Sequence, residues 1–245
     1  MRLPARFNGP DGSANGGYAC GSLACVLAPP DGAGLHVLLR RPSPLDVDLT
    51  VRDDGLYDGE HLIAQAQAGE VIGDVPSVTL AQAQEAESRY IGFVQHAFPR
   101  CFTCGPERAA GDGLRIFPGS VGHDGVVAAV WEPDPAFADA DGAVDAVTLW
   151  AALDCPSGIA VIAKSGRPAV LGRMAVVRHA PVVAGRPHVV VGWPRQGAGR
   201  RSLPAGSALL SEDGELLAQA EAVWVSVDVP IHDTGAPGTP ARPSA

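Results

Sequence analysis

The sequence predicts an α+β protein made of two diverged copies of one module, a central helix wrapped by a curved antiparallel sheet. Three matched pairs of segments, in the same order in both halves of the 245-residue chain, predict it. A small-residue apolar stretch from Asn15 to Ala28 (NGGYACGSLACVLA) is answered by Asp141 to Asp154 (DGAVDAVTLWAALD). Arg41-Pro-Ser-Pro44 before Leu45 to Val51 is answered by Arg178-His-Ala-Pro181 before Val182 to Val191. Leu62 to Ala68 (LIAQAQA) is answered by Leu216 to Ala222 (LLAQAEA), each just after an Asp-Gly pair, Asp58-Gly59 and Asp213-Gly214. Three phrases repeated in one order are the mark of a duplicated unit.

Each element has its own local reason. The first pair reads as two apolar helices, and the valine-rich second pair as β-structure bent at a proline. The third pair holds good helix formers, but its continuation Val223-Trp-Val-Ser-Val227 alternates and is β-branched. Leu216 to Val229 is therefore expected as a strand entered through a hairpin at Asp213-Gly214, and the first copy follows by analogy. Between the copies, Thr79 to Tyr90 (TLAQAQEAESRY) lacks Gly and Pro and predicts a polar helix capped by Ser77 or Thr79. Strands are expected at Leu114 to Phe117 and Val126 to Trp131. The Pro- and Gly-rich segment after Val229 is expected as a mobile tail.

Composition narrows the function. The chain is 46% hydrophobic and 18% charged, within the globular range, and is long enough to bury a core without metal or disulfide staples. No run of the ~18 apolar residues needed to span a membrane stands out, and the first ten residues have two arginines but no apolar stretch behind them. A cytoplasmic protein is expected, with no membrane partner. A formal charge of -9 without a long basic stripe disfavours nucleic acid, although Arg40-Arg41 and Arg200-Arg201 could receive a small anion. Five irregularly spaced cysteines suggest reduced thiols, most of them in the core. Only Cys101-Phe-Thr-Cys104 has metal-ligand spacing. Zinc takes four ligands, and with no second such pair or nearby His pair, no metal is expected.

Several phrases carry a resemblance: Phe7-Asn-Gly-Pro10 with Asn15-Gly-Gly-Tyr18, Cys101-Phe-Thr-Cys-Gly-Pro106 with Gly111-Asp-Gly-Leu114, and Leu149-Trp-Ala-Ala-Leu-Asp-Cys-Pro-Ser-Gly158. With the repeats they span 7 to 229 and resemble the double hotdog fold of acyl-CoA thioesterases, PaaI-like and TesB-like. The resemblance implies a first hotdog repeat over 1–78, a connecting helix and linker over 79–98, a second repeat over 99–229 and a tail over 230–245. It also implies an acyl-CoA substrate, no cofactor beyond the coenzyme A of that substrate, and a homo-oligomer, a dimer being expected.

In PaaI-like relatives the helix opens with Gly-Gly and carries an acid near its middle; here the Gly-Gly stands only in the first copy and the acid only in the second. The residue opposite Asp154 is Ala24 if Asn15 pairs with Asp145, or Ala28 if it pairs with Asp141. This complementary loss implies one composite site. TesB-like relatives add a Gln and a Thr or Ser, and the last strand offers Gln219 and Glu221 without a clear match.

Thioester hydrolysis needs a base or nucleophile for the carbonyl carbon and donors for the developing oxyanion. Asp154, among Trp150, Ala151, Ala152 and Leu153, is the candidate for the first role, and the Gly16 and Gly17 amides at a helix start capped by Asn15 for the second. Asp145 to Asp154 is nine residues, or ~13 Å along a helix, so one helix cannot supply both parts. Thr148 and Ser157 are candidate helpers, and Arg173, Arg178, Arg200 and Arg201 candidate contacts for coenzyme A phosphates. His96, His179 and His188 have no local nucleophile motif. The alternative is a non-catalytic binder of acyl-CoA or a fatty ligand. A hydratase reading lacks its Asp-His spacing near Asp139 and Asp141.

Overall fold

The computed structural model describes residues 1–27, 34–69, 73–122, 124–197 and 201–234. Along the chain lie helix α1 (Gly16–Leu27), strands β1 (Leu35–Leu39), β2 (Thr50–Arg52), β3 (Gly55–Asp58) and β4 (His61–Ala68), and helix α2 (Leu80–Glu87). Strands β5 (Gln95–His96), β6 (Gly119–Ser120) and β7 (Val127–Trp131) lead to helix α3 (Ala146–Ser165). Strands β8 (Ala169–Arg178), β9 (His188–Pro194), β10 (Ser202–Leu210), β11 (Leu216–Ser226) and β12 (His232–Asp233) follow.

Ten strands form one antiparallel sheet in the order β2-β3-β4-β1-β8-β11-β10-β9-β7-β6. Read outward from the β1–β8 junction, β1-β4-β3-β2 and β8-β11-β10-β9 have the same connectivity. The junction pairs Val37 with Met174 and Leu38 with Arg173. Helices α1 and α3 lie together against the sheet, and their apolar faces join the strands in one core containing Leu23, Leu149, Leu153, Val37, Met174 and Trp224.

The backbone hydrogen bonds before the two helices also correspond. The Asn15 amide donates to Phe7 O and the Asp145 amide to Phe137 O; the Ala14 amide donates to Ser43 O and the Val144 amide to Val182 O. Asn15 Oδ1 accepts from the Tyr18 amide as Asp145 Oδ1 does from Thr148. Position 15 therefore matches 145, and Ala24 matches Asp154. Downstream, the amides of Arg41 and Ala180 donate to Ile63 O and Leu217 O. This shifts the Arg-x-x-Pro alignment by two residues, because Pro44 and Val183, not Pro44 and Pro181, make the equivalent bridges.

The hairpins at Asp58-Gly59 and Asp213-Gly214 form as expected, with both glycines at positive φ. Helix α2 is capped by Thr79, which exchanges hydrogen bonds with Gln82 in a capping box. Other expectations are corrected. Leu114 to Phe117 is not a strand; the Leu114 and Ile116 amides donate to Phe102 and Thr103 carbonyls instead of to a sheet neighbour. Residues 230–234 are not a free tail, since His232 and Asp233 pair with His96 and Gln95, while 235–245 lie outside the described residues.

The second helix does not stop near Asp154 but continues through Pro156 to Ser165. Proline removes one intrahelical donor, and outside hydroxyls serve carbonyls on either side of the break: Thr103 Oγ1 donates to Ala151 O and Ser207 Oγ to Leu153 O. At 20 residues α3 is long and apolar enough, by length and composition, to cross a membrane. The sequence reading missed that length because Asp154, Pro156 and Ser157 interrupt the apolar run. Thr148 to Val161 are all buried within the protein.

Candidate active site between the two helices

Glycines let α1 and α3 approach closely. A Cβ on Gly17 would lie 2.5 Å from Trp150 O and 2.6 Å from Asp154 Cβ, and one on Gly21 would lie 2.7 Å from Trp150 Cβ. With glycine at these one-turn-spaced positions, backbone meets backbone and the start of α1 comes against the middle of α3. Asn15 Nδ2 donates to Asp154 Oδ2 at 2.8 Å, and the Gly17 amide donates to the same oxygen at 3.0 Å. The predicted meeting of first-half donors with the second-half acid is thus present.

The donors nevertheless have different tasks from those expected. The Gly17 amide is taken up by Asp154 and is not available to a ligand oxygen. Asn15 is 1% exposed and uses Oδ1 to cap α1 and Nδ2 to hold Asp154, so it positions the acid. The Gly16 amide has no hydrogen-bond partner among the described residues, and Gly16 lines a cavity of ≈ 310 Å³ together with Asp154. The other carboxylate oxygen, Asp154 Oδ1, is buried without a hydrogen-bond partner among the described residues. Burial pushes this carboxyl up to about 7; the Gly17 and Asn15 hydrogen bonds oppose that rise, and Cys101 adds to it.

The cavity wall is mostly apolar, with Leu39, Phe98, Ile159, Ile162, Leu171 and Trp224. Ser43 Oγ, also buried and without a partner among the described residues, belongs to the same wall. Exposed Arg40 and Arg41 line it as well.

Other predicted site residues lie elsewhere. Thr148 Oγ1 donates to Asp145 Oδ2 at 2.7 Å and stabilises the start of α3. Ser157 is fully buried, donates to Asp154 O and accepts from Trp224 Nε1, both at 2.8 Å, which leaves no free hydroxyl to orient water. Arg173 sits in the sheet opposite Leu38 and Val223, and neither it, Arg178 nor exposed Arg201 lines the cavity. Arg200 lies outside the described residues.

Sequence reasoning also missed a sulfur cluster. Cys101, Cys104 and Cys155 are buried with their Sγ atoms within 4.8 Å of one another, and Cys101 and Cys155 are 3.6 Å apart. Hydrogen bonds from Cys104 and Cys155 pull the Cys101 thiol well below its usual range, and the reciprocal bonds to Cys101 push the other two up. His96 Nε2 lies 3.4 Å from Cys104 Sγ. The His-x4-Cys-x2-Cys spacing was a usable signal; the third sulfur, from α3, was not foreseeable without knowing which helix packs there.

No protein-family model matches the chain, and no curated protein matches it. Solved structures do. A conserved protein of unknown function with a hot dog fold from Alicyclobacillus acidocaldarius matches with a TM-score of 0.57 over 93% of this chain and 92% of its own, at 13% identity. The chain has a hotdog fold. In hotdog terms, α1 and α3 are the filling and the ten-stranded sheet is the wrapping. Smaller matches include a thioesterase superfamily protein (TM-score 0.47, 18% identity, 53% of this chain and 62% of that one). Another is the PaaI protein of the phenylacetic acid degradation operon of E. coli (TM-score 0.45, 14% identity, 51% and 88%).

Proposed function

We propose that this hotdog protein is an acyl thioester hydrolase acting on an acyl-CoA, and that its two matching strand quartets are the halves of a double hotdog with one composite site. The observation that carries this reading is the buried Asp154 Oδ1 on a cavity wall that also holds the Gly16 amide, neither with a hydrogen-bond partner among the described residues. A carboxylate and an amide donor are the two parts that thioester hydrolysis requires.

In this mechanism the thioester carbonyl oxygen takes the Gly16 N–H. Asp154, its Oδ2 held by Asn15 and Gly17, accepts a proton from water through Oδ1 as the water oxygen bonds to the carbonyl carbon. Collapse of the tetrahedral intermediate breaks the C–S bond, and the proton passes from Asp154 to the departing thiolate. The acyl group occupies the wall formed by Ile159, Ile162 and Leu171, and Arg40 and Arg41 face the coenzyme A phosphates. Direct attack by Asp154 on the carbonyl carbon is the variant of this route, and trapping of an acyl-enzyme distinguishes it.

The test is thiol release from short, long and aromatic acyl-CoAs by wild type and Asp154→Asn. Turnover by wild type and its loss in the variant are expected; equal rates would refute the mechanism. The apolar wall also suits a non-catalytic acyl carrier. Saturable acyl-CoA binding with no thiol released from any substrate would select that reading.

A further inference from the structure

We propose that Cys101, Cys104 and Cys155 bind one zinc ion, with the fourth coordination position open to the cavity. The proposal does not depend on the hydrolase reading. Tetrahedral zinc with Zn–S bonds of about 2.3 Å sets its sulfurs about 3.8 Å apart. The observed cluster, with Cys101 and Cys155 Sγ at 3.6 Å and all three atoms within 4.8 Å, has that size. All three are free thiols.

The backbone around the cluster is tied down as a ligand loop needs to be. The Cys101 amide donates to Phe98 O, the Gly105 amide to Cys101 O, and Tyr90 Oη to Cys104 O. Gly105 is required by this tight turn, since a Cβ there would lie 2.5 Å from Cys101 N and 2.6 Å from both Cys101 O and Pro99 O. Cys155 arrives from α3, so the ion would pin the loop to the helix that carries Asp154.

Donors to sulfur surround the triad. Asn15 Nδ2 lies 3.8 Å from Cys101 Sγ and 3.9 Å from Cys155 Sγ. The Phe98 amide donates to His96 Nδ1, which leaves the ring proton on Nε2, facing Cys104 Sγ. In that tautomer His96 is an outer-shell donor to a thiolate rather than a ligand. All three cysteines line the cavity, so a water or a ligand atom from it can complete the tetrahedron. Thiolate donors favour zinc over magnesium or calcium. Binding exchanges thiol protons for the metal: each ligating thiol releases one proton to solvent, and no electron moves.

The full chain, purified without a histidine tag and under reducing conditions, is analysed for bound metals by mass spectrometry. About one zinc per chain is expected, falling several-fold in Cys104→Ser and Cys155→Ser and retained in Cys25→Ser, whose thiol is exposed. Cobalt(II) added to chelator-treated wild type tests the site without any variant: a thiolate-to-cobalt charge-transfer band, abolished by zinc, is expected. Zinc-free protein that gives no such band, stoichiometric copper or iron in place of zinc, or a Cys101–Cys155 disulfide in the freshly isolated reduced preparation would overturn the proposal. These readouts are blind to thioester turnover, so either reading can fail alone.

Discussion

Asn15 and Asp154 are 139 residues apart in sequence and 2.8 Å apart in space, and the amide of one holds a single oxygen of the other's carboxylate. The Gly17 amide holds the same oxygen. Both donors are thus spent on Oδ2, and Oδ1 is left buried with no partner among the described residues. Such asymmetry costs stability unless something uses the free oxygen.

Asn15→Ala should separate positioning from chemistry. It removes one of the two donors on Asp154 and the α1 cap, so stability should fall by about 1 kcal/mol, read by denaturant titration. Turnover should fall about tenfold or more with a smaller change in KM, the pattern of a misplaced base. Wild-type kcat in a folded variant would show that Asp154 does not need this partner.

Gly17→Ala tests the helix contact. Its Cβ would meet backbone of Trp150 as well as Asp154 Cβ, and neither can swing aside like a flexible side-chain tip. A loss of about 1–3 kcal/mol is expected, together with lower activity as α1 and α3 separate. A variant as stable and active as wild type would show that the helices have slack at this point.

Ser157→Ala should do the reverse, harming the fold while sparing the chemistry. Its hydroxyl is the acceptor for Trp224 Nε1, and removing it leaves a buried indole N–H unpaired at a cost of about 1–3 kcal/mol. At a temperature where the variant is folded, kcat should match wild type. A large fall in kcat with intact stability would restore Ser157 as a catalytic helper.

Arg40→Glu with Arg41→Glu should raise KM for acyl-CoA several-fold while leaving kcat within about twofold, because exposed charges act on binding of the anionic part of the substrate. The gap from wild type should narrow as salt rises, since screening weakens both attraction and repulsion. Replacing acyl-CoA by a short thioester without phosphates should erase the difference. A gap that persists with that substrate would remove the arginines from phosphate binding.

Local chemistry by itself determined much of this protein. The Asp58-Gly59 and Asp213-Gly214 turns, the Thr79 cap, the Asn15 cap and the strand through the alternating Val223-Trp-Val-Ser226, which ends at Ser226 rather than Val229, are short-range features found where their residues pointed. The complementary loss of Gly-Gly in one half and the acid in the other also pointed to a contact between the halves, which the Asn15–Asp154 bond supplies. Only the tertiary structure decided which donor meets which oxygen, because that depends on how closely α1 and α3 pack, and Gly17 and Gly21, both on the α1 side, set that distance. It also carried α3 through Pro156, where hydroxyls of Thr103 and Ser207 reach carbonyls from distant segments. Finally, it brought Cys155 beside Cys101 and Cys104, a meeting of helix and loop that no spacing along one strand of sequence encodes.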